Sequence, residues 1–328
     1  MDNLFFALLL TSTIGNAQIN QIFPFNDGVA RVQVIDKMKS CFIDKTGKRV
    51  TAFYTDARDF SEGWAAVEID GIWKFIDVEE NVVLTLPAEY TDVREFSEGL
   101  AAVCTGKFTQ EKWGYIDKTG KNVIPCKYNG ADSFSDGIAF VNYKWSYRSS
   151  FYIDKTGGKT IKPEPVEEPI REYRNGYYGY VDKTGKELIP FKYRNAYPFT
   201  NGVAYVVKEK VRPGGMITSI NVSMPHQAVQ TTTVRTRYVD AETKEKAFYI
   251  NSKGKKLKYE CGSYSEGLWM ITNIKKWGYM DLKYKVVIPV IYTKATKFSE
   301  GLAIVETSKG GNWIIIDKQG EKVADINL

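Results

Sequence analysis

The groups in this chain that could do chemistry are few and far apart. There is one histidine, His226. A lone histidine cannot assemble a histidine-based metal centre. As a general base it has no companion, because the sequence holds neither a G-x-S-x-G nucleophile elbow nor an H-E-x-x-H helix. No P-loop, and no G-x-G-x-x-G after a strand, is present to cradle a phosphate. The carboxylates form two patterns. Asp44, Asp117, Asp154, Asp182 and Asp317 each open an Asp-Lys-x-Gly tetrad. Calcium needs several oxygen ligands together, and each of these acids is followed by a lysine, which fits a turn former better than a ligand. Glu62, Glu98, Glu266 and Glu300 share the setting Phe/Tyr-Ser-Glu-Gly. Two such acids could act as a glycosidase pair, but their return in unit after unit fits turn structure instead. Cys41, Cys104, Cys126 and Cys261 show no C-x-x-C spacing. They read as small buried hydrophobes, with a Cys104–Cys126 disulfide as the alternative. No metal, no cofactor and no catalytic set is expected, and the chain is predicted not to be an enzyme.

Binding chemistry has two candidates. In "NYKWSYRSS" (142–150), Tyr143, Trp145 and Tyr147 alternate with Lys144 and Arg148. On a strand this puts three rings on one side, as a sugar platform or a protein hot spot has, or as rings packed on a neighbouring unit have. The second candidate is the segment 208–246. Its runs "GGMITSINVSM" and "AVQTTTVRTRYV" read as a long inserted β-hairpin. Lys208, Lys210, Arg212, Arg235 and Arg237 face few acids there, so it meets an anionic surface or merely pads a neighbour. The formal net charge of +6 is otherwise dealt out in small doses at turns. A nucleic-acid face needs clustered charge, so no nucleic-acid partner is expected.

The elements that position these residues follow from internal repetition. The first phrase recurs as "FNDG" (25–28), "FSEG" (60–63, 96–99, 298–301), "FSDG" (134–137), "FTNG" (199–202) and "YSEG" (264–267). The second recurs as "FIDKTG" (42–47), "YIDKTG" (115–120, 152–157), "YVDKTG" (180–185), "YINSKG" (249–254) and "IIDKQG" (315–320), with worn copies "FIDVEE" (75–80) and "YMDLKY" (279–284). Eight turns of the second kind imply eight units of about 35 residues. "YRNG" (173–176) is read as the relic of a lost first phrase. Aromatic and β-branched runs between glycine-bearing turns predict strands. Each unit reads as strands "GLAAV", "WGYID" and "NVIP", with "YNGADSF" as a fourth piece completing it. The Asp-Lys-Thr-Gly segment reads as a type I turn with a G1 bulge. Pro87, Pro125, Pro190 and Pro289 are expected to stop the ladder after the last strand. Strand "WGYID" carries apolar groups on both faces, so it is covered on both sides, with Gly114 leaving room for the neighbouring unit. The fold expected is all-β, a tandem array of about eight three- to four-stranded units, propeller-like; the alternative is an open curved solenoid of β-hairpins.

"KWGYIDKTGKNVIPCKY" together with "FSEGLA" resembles the WG (KWG) repeat family of bacterial proteins, over nearly all of residues 22–323. The Trp-Gly pair stands at Trp113-Gly114 and Trp277-Gly278, with partial echoes at Trp73, Tyr178-Gly179 and Trp313. The resemblance implies an all-β repeat array and brings no catalytic residues with it.

At the N-terminus, "LFFALLL" (4–10) followed by "GNA" (15–17) reads as an export signal over residues 1–17, although its first residues hold Asp2 and no Lys or Arg. The run is too short to span a bilayer, and no membrane-spanning segment is expected. Residues 18–328 then form the array. The functional expectation is a non-catalytic exported protein, periplasmic or extracellular, that binds a protein through variable loops on one rim. The alternative is a module that binds a glycan or the cell wall.

Overall fold

The structure, a computed structural model, describes residues 19–35, 39–107, 110–143, 150–161, 169–212, 215–223, 231–239, 242–326 and 328, without the side chains of 210–242. Among these residues the strands form eight small antiparallel sheets of three or four strands and one two-stranded ribbon. No helix among them is long and apolar enough to cross a membrane. The chain is an all-β tandem array, propeller-like in the way its small sheets stack face on face. It divides into two compact units, one made of residues 1–164 with 262–328 and the other of Pro165–Cys261.

Sheet 3 shows how the repeated letters make a sheet. Its strands Tyr90–Ser97, Leu100–Thr105, Lys112–Asp117 and Asn122–Tyr128 pair in sequence order. The first hairpin turns on Glu98 and Gly99, both left-handed (φ 55° and 84°). That is the type I′ geometry whose twist suits a two-residue hairpin. Such a turn requires the strands on either side of it to pair with each other. Beyond Tyr128 the piece "YNGADSF" therefore belongs to the following sheet: Gly130–Ala131 pairs with Asn142 and Val141 of the strand Ile138–Asn142 and does not complete sheet 3. The last hairpin turns on Asp117–Gly120, where Gly120 N donates to Asp117 O at 2.9 Å and Asp117 N to Lys121 O at 3.0 Å. Only Gly120 is left-handed there, as a type I turn with a G1 bulge requires.

The Trp-Gly pair has a local cause. Asn122–Tyr128 meets Lys112–Asp117 through an irregular register, Ile124 opposite Tyr115 and then Tyr128 opposite Trp113. Two surplus residues bulge, and their backbone lies over Gly114. A Cβ on Gly114 would lie 2.4 Å from the carbonyl oxygen of Ile124. Gly278 faces Ile288 and Pro289 in the same way. The room at Gly114 is thus taken by the next strand of its own sheet, not by the neighbouring unit. Pro125, Pro190 and Pro289 sit within these strands, and the ladder resumes beyond them at Tyr128, Tyr193 and Tyr292. A proline is tolerated at a bulge because no ladder bond is asked of its nitrogen there.

In the first unit the sheets pack in the order 7, 8, 1, 2, 3, 4. Sheet 7 is Glu260–Ser265, Leu268–Thr272, Trp277–Asp281 and Val286–Tyr292, and sheet 8 is Lys294–Ala295, Leu302–Glu306, Trp313–Asp317 and Lys322–Asp325. Sheet 1 is Ile19–Asn26, Val29–Val34 and Lys39–Asp44, and sheet 2 is Ala65–Ile69, Ile72–Ile76 and Val82–Thr85. Sheet 4 adds Ile138–Asn142, Ser150–Asp154 and Lys159–Thr160 to Gly130–Ala131. A separate apolar core fills each of the five junctions. The core between sheets 8 and 1 joins Ile304, Trp313 and Ile315 to Ile22, Phe25 and Val32, so the last repeat packs on the first. Fully buried alanines one residue after the start of a strand (Ala30, Ala66, Ala101, Ala303) let neighbouring sheets approach closely.

The second unit holds sheet 5 (Ile170–Arg174, Tyr177–Val181, Glu187–Tyr193) and sheet 6 (Asn195–Ala196, Val203–Arg212, Glu242–Asn251) around a core of Tyr180, Ile189, Tyr193, Phe199 and Val206. Gly215–Ser223 and Thr231–Val239 pair in register as the two-stranded ribbon that continues the hairpin of sheet 6. "YRNG" is not a relic of the first phrase. Asn175-Gly176 joins Ile170–Arg174 to Tyr177–Val181, as Asp70-Gly71 joins Ala65–Ile69 to Ile72–Ile76 in sheet 2.

All four cysteines are free. Cys104 faces the core between sheets 3 and 4, while Cys126 packs toward the core between sheets 2 and 3. A strand separates them, which excludes the Cys104–Cys126 disulfide. Burial pushes the Cys41 and Cys104 thiols up to about 11 and Cys261 up to about 12, so they are protonated, inert fillers.

Alanine in a left-handed position costs about 1–2 kcal/mol. A Cβ at Gly99 would stand in open space, with no atom within 4 Å, whereas a Cβ at Gly120 would lie 3.0 Å from Leu84 of sheet 2. We expect Gly120→Ala to lower the urea midpoint more than Gly99→Ala, both below wild type.

Candidate functional site

The repeated residues meet across the sheet junctions. At five junctions the aromatic two residues before the turn aspartate packs against the Phe that opens the next repeat's first phrase. Ring centroids are 4.8 Å apart for Phe42–Phe60, 4.6 Å for Phe75–Phe96, 4.8 Å for Tyr115–Phe134 and Tyr180–Phe199, and 4.7 Å for Tyr279–Phe298. Each such pair contributes about 0.5–1.5 kcal/mol beyond its burial. The buried phenols also donate onward: Tyr115 to Asp132 O at 2.8 Å, Tyr180 to Tyr197 O at 2.8 Å and Tyr279 to Thr296 O at 2.7 Å. Ahead of the Phe-Ser-Glu-Gly phrases, Arg58 lies over Trp73 at 4.7 Å and bonds Asp92 and Val93 O of the next repeat at 2.7 and 2.9 Å. Arg94 lies over Trp113 at 5.4 Å and faces Asp132 at 3.8 Å. The tryptophans of the repeat are therefore ring seats for a cation that reaches across a junction.

The turn edge carries a second link. Glu62 accepts the N–H of Gly99 at 3.1 Å, and Glu98 accepts that of Gly137 at 3.0 Å. Glu266 accepts from Gly301 at 3.1 Å, and Glu300 from Gly28 at 3.1 Å. Each of these carboxylates also meets the lysine of the following repeat's Asp-Lys turn: Lys118–Glu62 at 3.5 Å, Lys155–Glu98 at 3.1 Å, Lys318–Glu266 at 3.0 Å and Lys45–Glu300 at 2.7 Å. The Glu300 link joins the last repeat to the first with the geometry used between sequence neighbours. Repeat 2 has Val78 where the lysine stands, and there the acid before it is the shorter Asp27, which bonds Gly63 N at 2.8 Å. Worn turns have their own cause too. Glu80 adopts φ 64° without being glycine, and its carboxylate binds Ala52 N at 2.8 Å and the Tyr54 hydroxyl.

The turn aspartates spend their oxygens locally. Asp117 accepts from Thr119 N, Thr119 Oγ1 and Lys121 N at 2.9, 2.6 and 3.1 Å, and Asp44, Asp154 and Asp182 repeat the set. Asp317 accepts from Gln319 N and Glu321 N. The threonine hydroxyl holds the Asp117 carboxyl below its ordinary value. Among the described residues no three His, Cys, Asp or Glu side chains are placed to hold a metal ion.

On each sheet the opposite edge carries the connection into the strand that ends at the Asp or Asn turn. These connections range from Asp70-Gly71 and Asn175-Gly176 to the segment that opens at Lys208 and returns at Lys246. Tyr143 stands on this edge, 48% exposed, with its ring 5.2 Å from Tyr128 and 5.4 Å from Phe151. Trp145, Tyr147 and His226 lie outside the described residues. Arg212 pairs with Glu242 at the end of the sheet 6 hairpin, and Arg235 and Arg237 lie opposite Ser219 and Ile217 in the ribbon. Tyr143 belongs to the first unit and the three arginines to the second. Reading the acid and the lysine only as turn residues hid the clamp. The signal was present: where repeat 2 loses its lysine, repeat 1 shortens its acid.

A family model described as "WG containing repeat" matches residues 42–73, 75–107, 113–144, 178–210 and 277–313. No curated protein matches the sequence. Among solved structures the chain is similar to Hsv2 of Kluyveromyces marxianus (9% identity, TM-score 0.37, 96% of this chain and 100% of that one). It is also similar to the tricorn protease (11% identity, TM-score 0.39, 94% and 34%). A third likeness is to a protein of unknown function from Bacteroides caccae (10% identity, TM-score 0.26, 88% and 90%).

The carboxyls of Glu98, Glu266 and Glu300 are held below their ordinary 4.5. At Glu98 the Lys155 hydrogen bond is the largest cause; at Glu266 and Glu300 burial opposes the shift and is outweighed by the lysine and the glycine N–H. A carboxyl depressed on folding stabilises the fold above its unfolded value, and that stability is lost as pH falls through the folded value. We expect the urea midpoint to fall as pH drops below 4.5, with a shallower fall in Glu300→Gln. Each exposed pair is worth only about 0–1 kcal/mol, so the combined Glu98→Gln/Glu266→Gln/Glu300→Gln variant should show the flattening most clearly.

Proposed function

The chain belongs to the WG containing repeat family, and on that footing we propose that it is a non-catalytic exported array that holds a protein partner on the edge opposite its turn clamps. One observation carries this reading. In the first unit the turn edges spend acids, lysines and glycine N–H groups in joining repeats, while on each sheet of either unit the opposite edge varies its connection without touching such a joint. Invariant scaffold on one edge and variable loops on the other is the arrangement of a repeat protein with a binding face. Export rests on the apolar run Leu4–Leu10 and the small residues that follow it.

A second reading, glycan binding, rests on Tyr143. Its half-exposed ring is held on Tyr128 and Phe151, as a sugar-stacking ring must be held.

The hairpin tests the first reading. Val207 and Ala247 are directly paired, so Lys208–Lys246 can be replaced by Asn-Gly, the turn that repeat 5 already uses. We expect this variant to keep the wild-type unfolding midpoint and to lose partners captured by the full chain from cell-envelope extracts. Retention of every partner would remove the hairpin from the binding face. On a glycan array, a signal abolished by Tyr143→Ala supports the sugar reading, and no signal from wild type removes it.

A further inference from the structure

Between the first strands of repeats 8 and 1 lies a cavity of about 450 Å³, lined by Asn20, Gln21, Ile22, Lys294, Ala295, Thr296 and Trp313. Comparison with the other junctions explains it. Two residues before the Phe of Phe-Ser-Glu-Gly stand Arg58 in repeat 2 and Arg94 in repeat 3; in repeat 8 that position is Thr296. Arg58 fills its junction, from the face of Trp73 to Asp92 and the Val93 carbonyl. At the 8–1 junction the corresponding wall is Trp313, and Gln21 and Ile22 stand where Asp92 and Val93 stand. The arginine is missing, its acid has become an amide, and the space remains.

The charge at this place is also reversed. Lys294 Nζ sits 5.2 Å from the Trp313 ring centroid and donates to Asn20 O at 3.2 Å. An ammonium has three donors, so two are left. The acid opposite Lys294 across the strands, Glu306, is buried and turned to Thr293 Oγ1 and Gly310 N. No carboxylate lines the cavity, whereas two amides, a hydroxyl and an ammonium do. A site of this size suits a small ligand, with an apolar wall for its body and a few polar groups to fix it.

We propose that the cavity between repeats 8 and 1 is a binding site for a small organic carboxylate, its acid group on Lys294 and Gln21 and its apolar or ring body against Trp313 and Ile22. This goes beyond the protein-binding reading and does not depend on it. The acid can be that of a free metabolite, a sugar acid or the C-terminal residue of a peptide.

Isothermal titration of the full chain with indole-3-acetate, galacturonate and N-acetylphenylalanine separates these sources, each acid being paired with its amide. At least one acid is expected to bind about tenfold or more tightly than its amide. Lys294→Met is expected to weaken that acid by a similar factor. Thr296→Arg, which restores the side chain used in repeats 2 and 3, is expected to abolish binding while leaving the unfolding midpoint at or above wild type. If no acid binds, if acid and amide bind alike, or if a folded Lys294→Met protein binds the acid as wild type does, the proposal is overturned. Should Thr296→Arg fail to fold, the acid–amide ratio and Lys294→Met still decide the matter.

Discussion

A three- or four-stranded sheet with apolar groups on both faces cannot exist alone in water; it must be sandwiched. Every other feature of this chain follows from that requirement. The strand Lys112–Asp117 points Trp113 and Tyr115 into one core and Ile116 into the other, so sheet 3 is stable only with sheets 2 and 4 beside it. A buried aromatic contributes about 1.5–3 kcal/mol, and one such ring from each side meets at the junction. Stability in an array of this kind is a sum of repeat terms and nearest-neighbour terms, and terminal repeats are its weak points. Here the first repeat, within its unit, is given the last as a neighbour, through the same core and the same carboxylate link.

The two edges of the sheets divide the work. Antiparallel order places the Ser-Glu-Gly turn and the Asp-Lys-Thr-Gly turn on one edge, where a glutamate of one repeat lies within reach of the lysine and glycine N–H of the next. Those links are individually small; their value is registry, since each fixes how far one sheet slides against its neighbour. The other edge is left to vary, and it does so without disturbing the cores. Irregular repeats follow the same logic. Where an arginine bridges a junction the space is filled; where it becomes Thr296, a cavity opens.

Much of this was legible in the letters. The eight turns, the strand type, the Asp caps and the two-faced strand came from period and composition, because turns and burial patterns are local properties. What the letters hid was relational. That Gly114 yields to the bulged Pro125 segment of its own sheet depends on register, which sequence spacing does not specify. That "YRNG" joins Ile170–Arg174 to Tyr177–Val181, and is not a first-phrase relic, depends on which strands pair across it. The first-phrase glutamates looked like turn residues because they are; that their carboxylates also hold the next repeat needs the angle between sheets. Of the candidate binding residues, Tyr143 is half-exposed on a ring cluster with Tyr128 and Phe151, a placement set by contacts far apart in sequence.

In the first unit the repeated acids and lysines join successive repeats, and the last repeat meets the first in the same manner. A zero-length carbodiimide coupling, followed by peptide mass spectrometry, reads this directly, because it forms an amide only between a lysine and a carboxylate already in contact. The account predicts Lys45–Glu300 cross-links in the monomer, at a yield comparable to Lys155–Glu98 and Lys318–Glu266. Formation of the two internal cross-links without any Lys45–Glu300 product would contradict it.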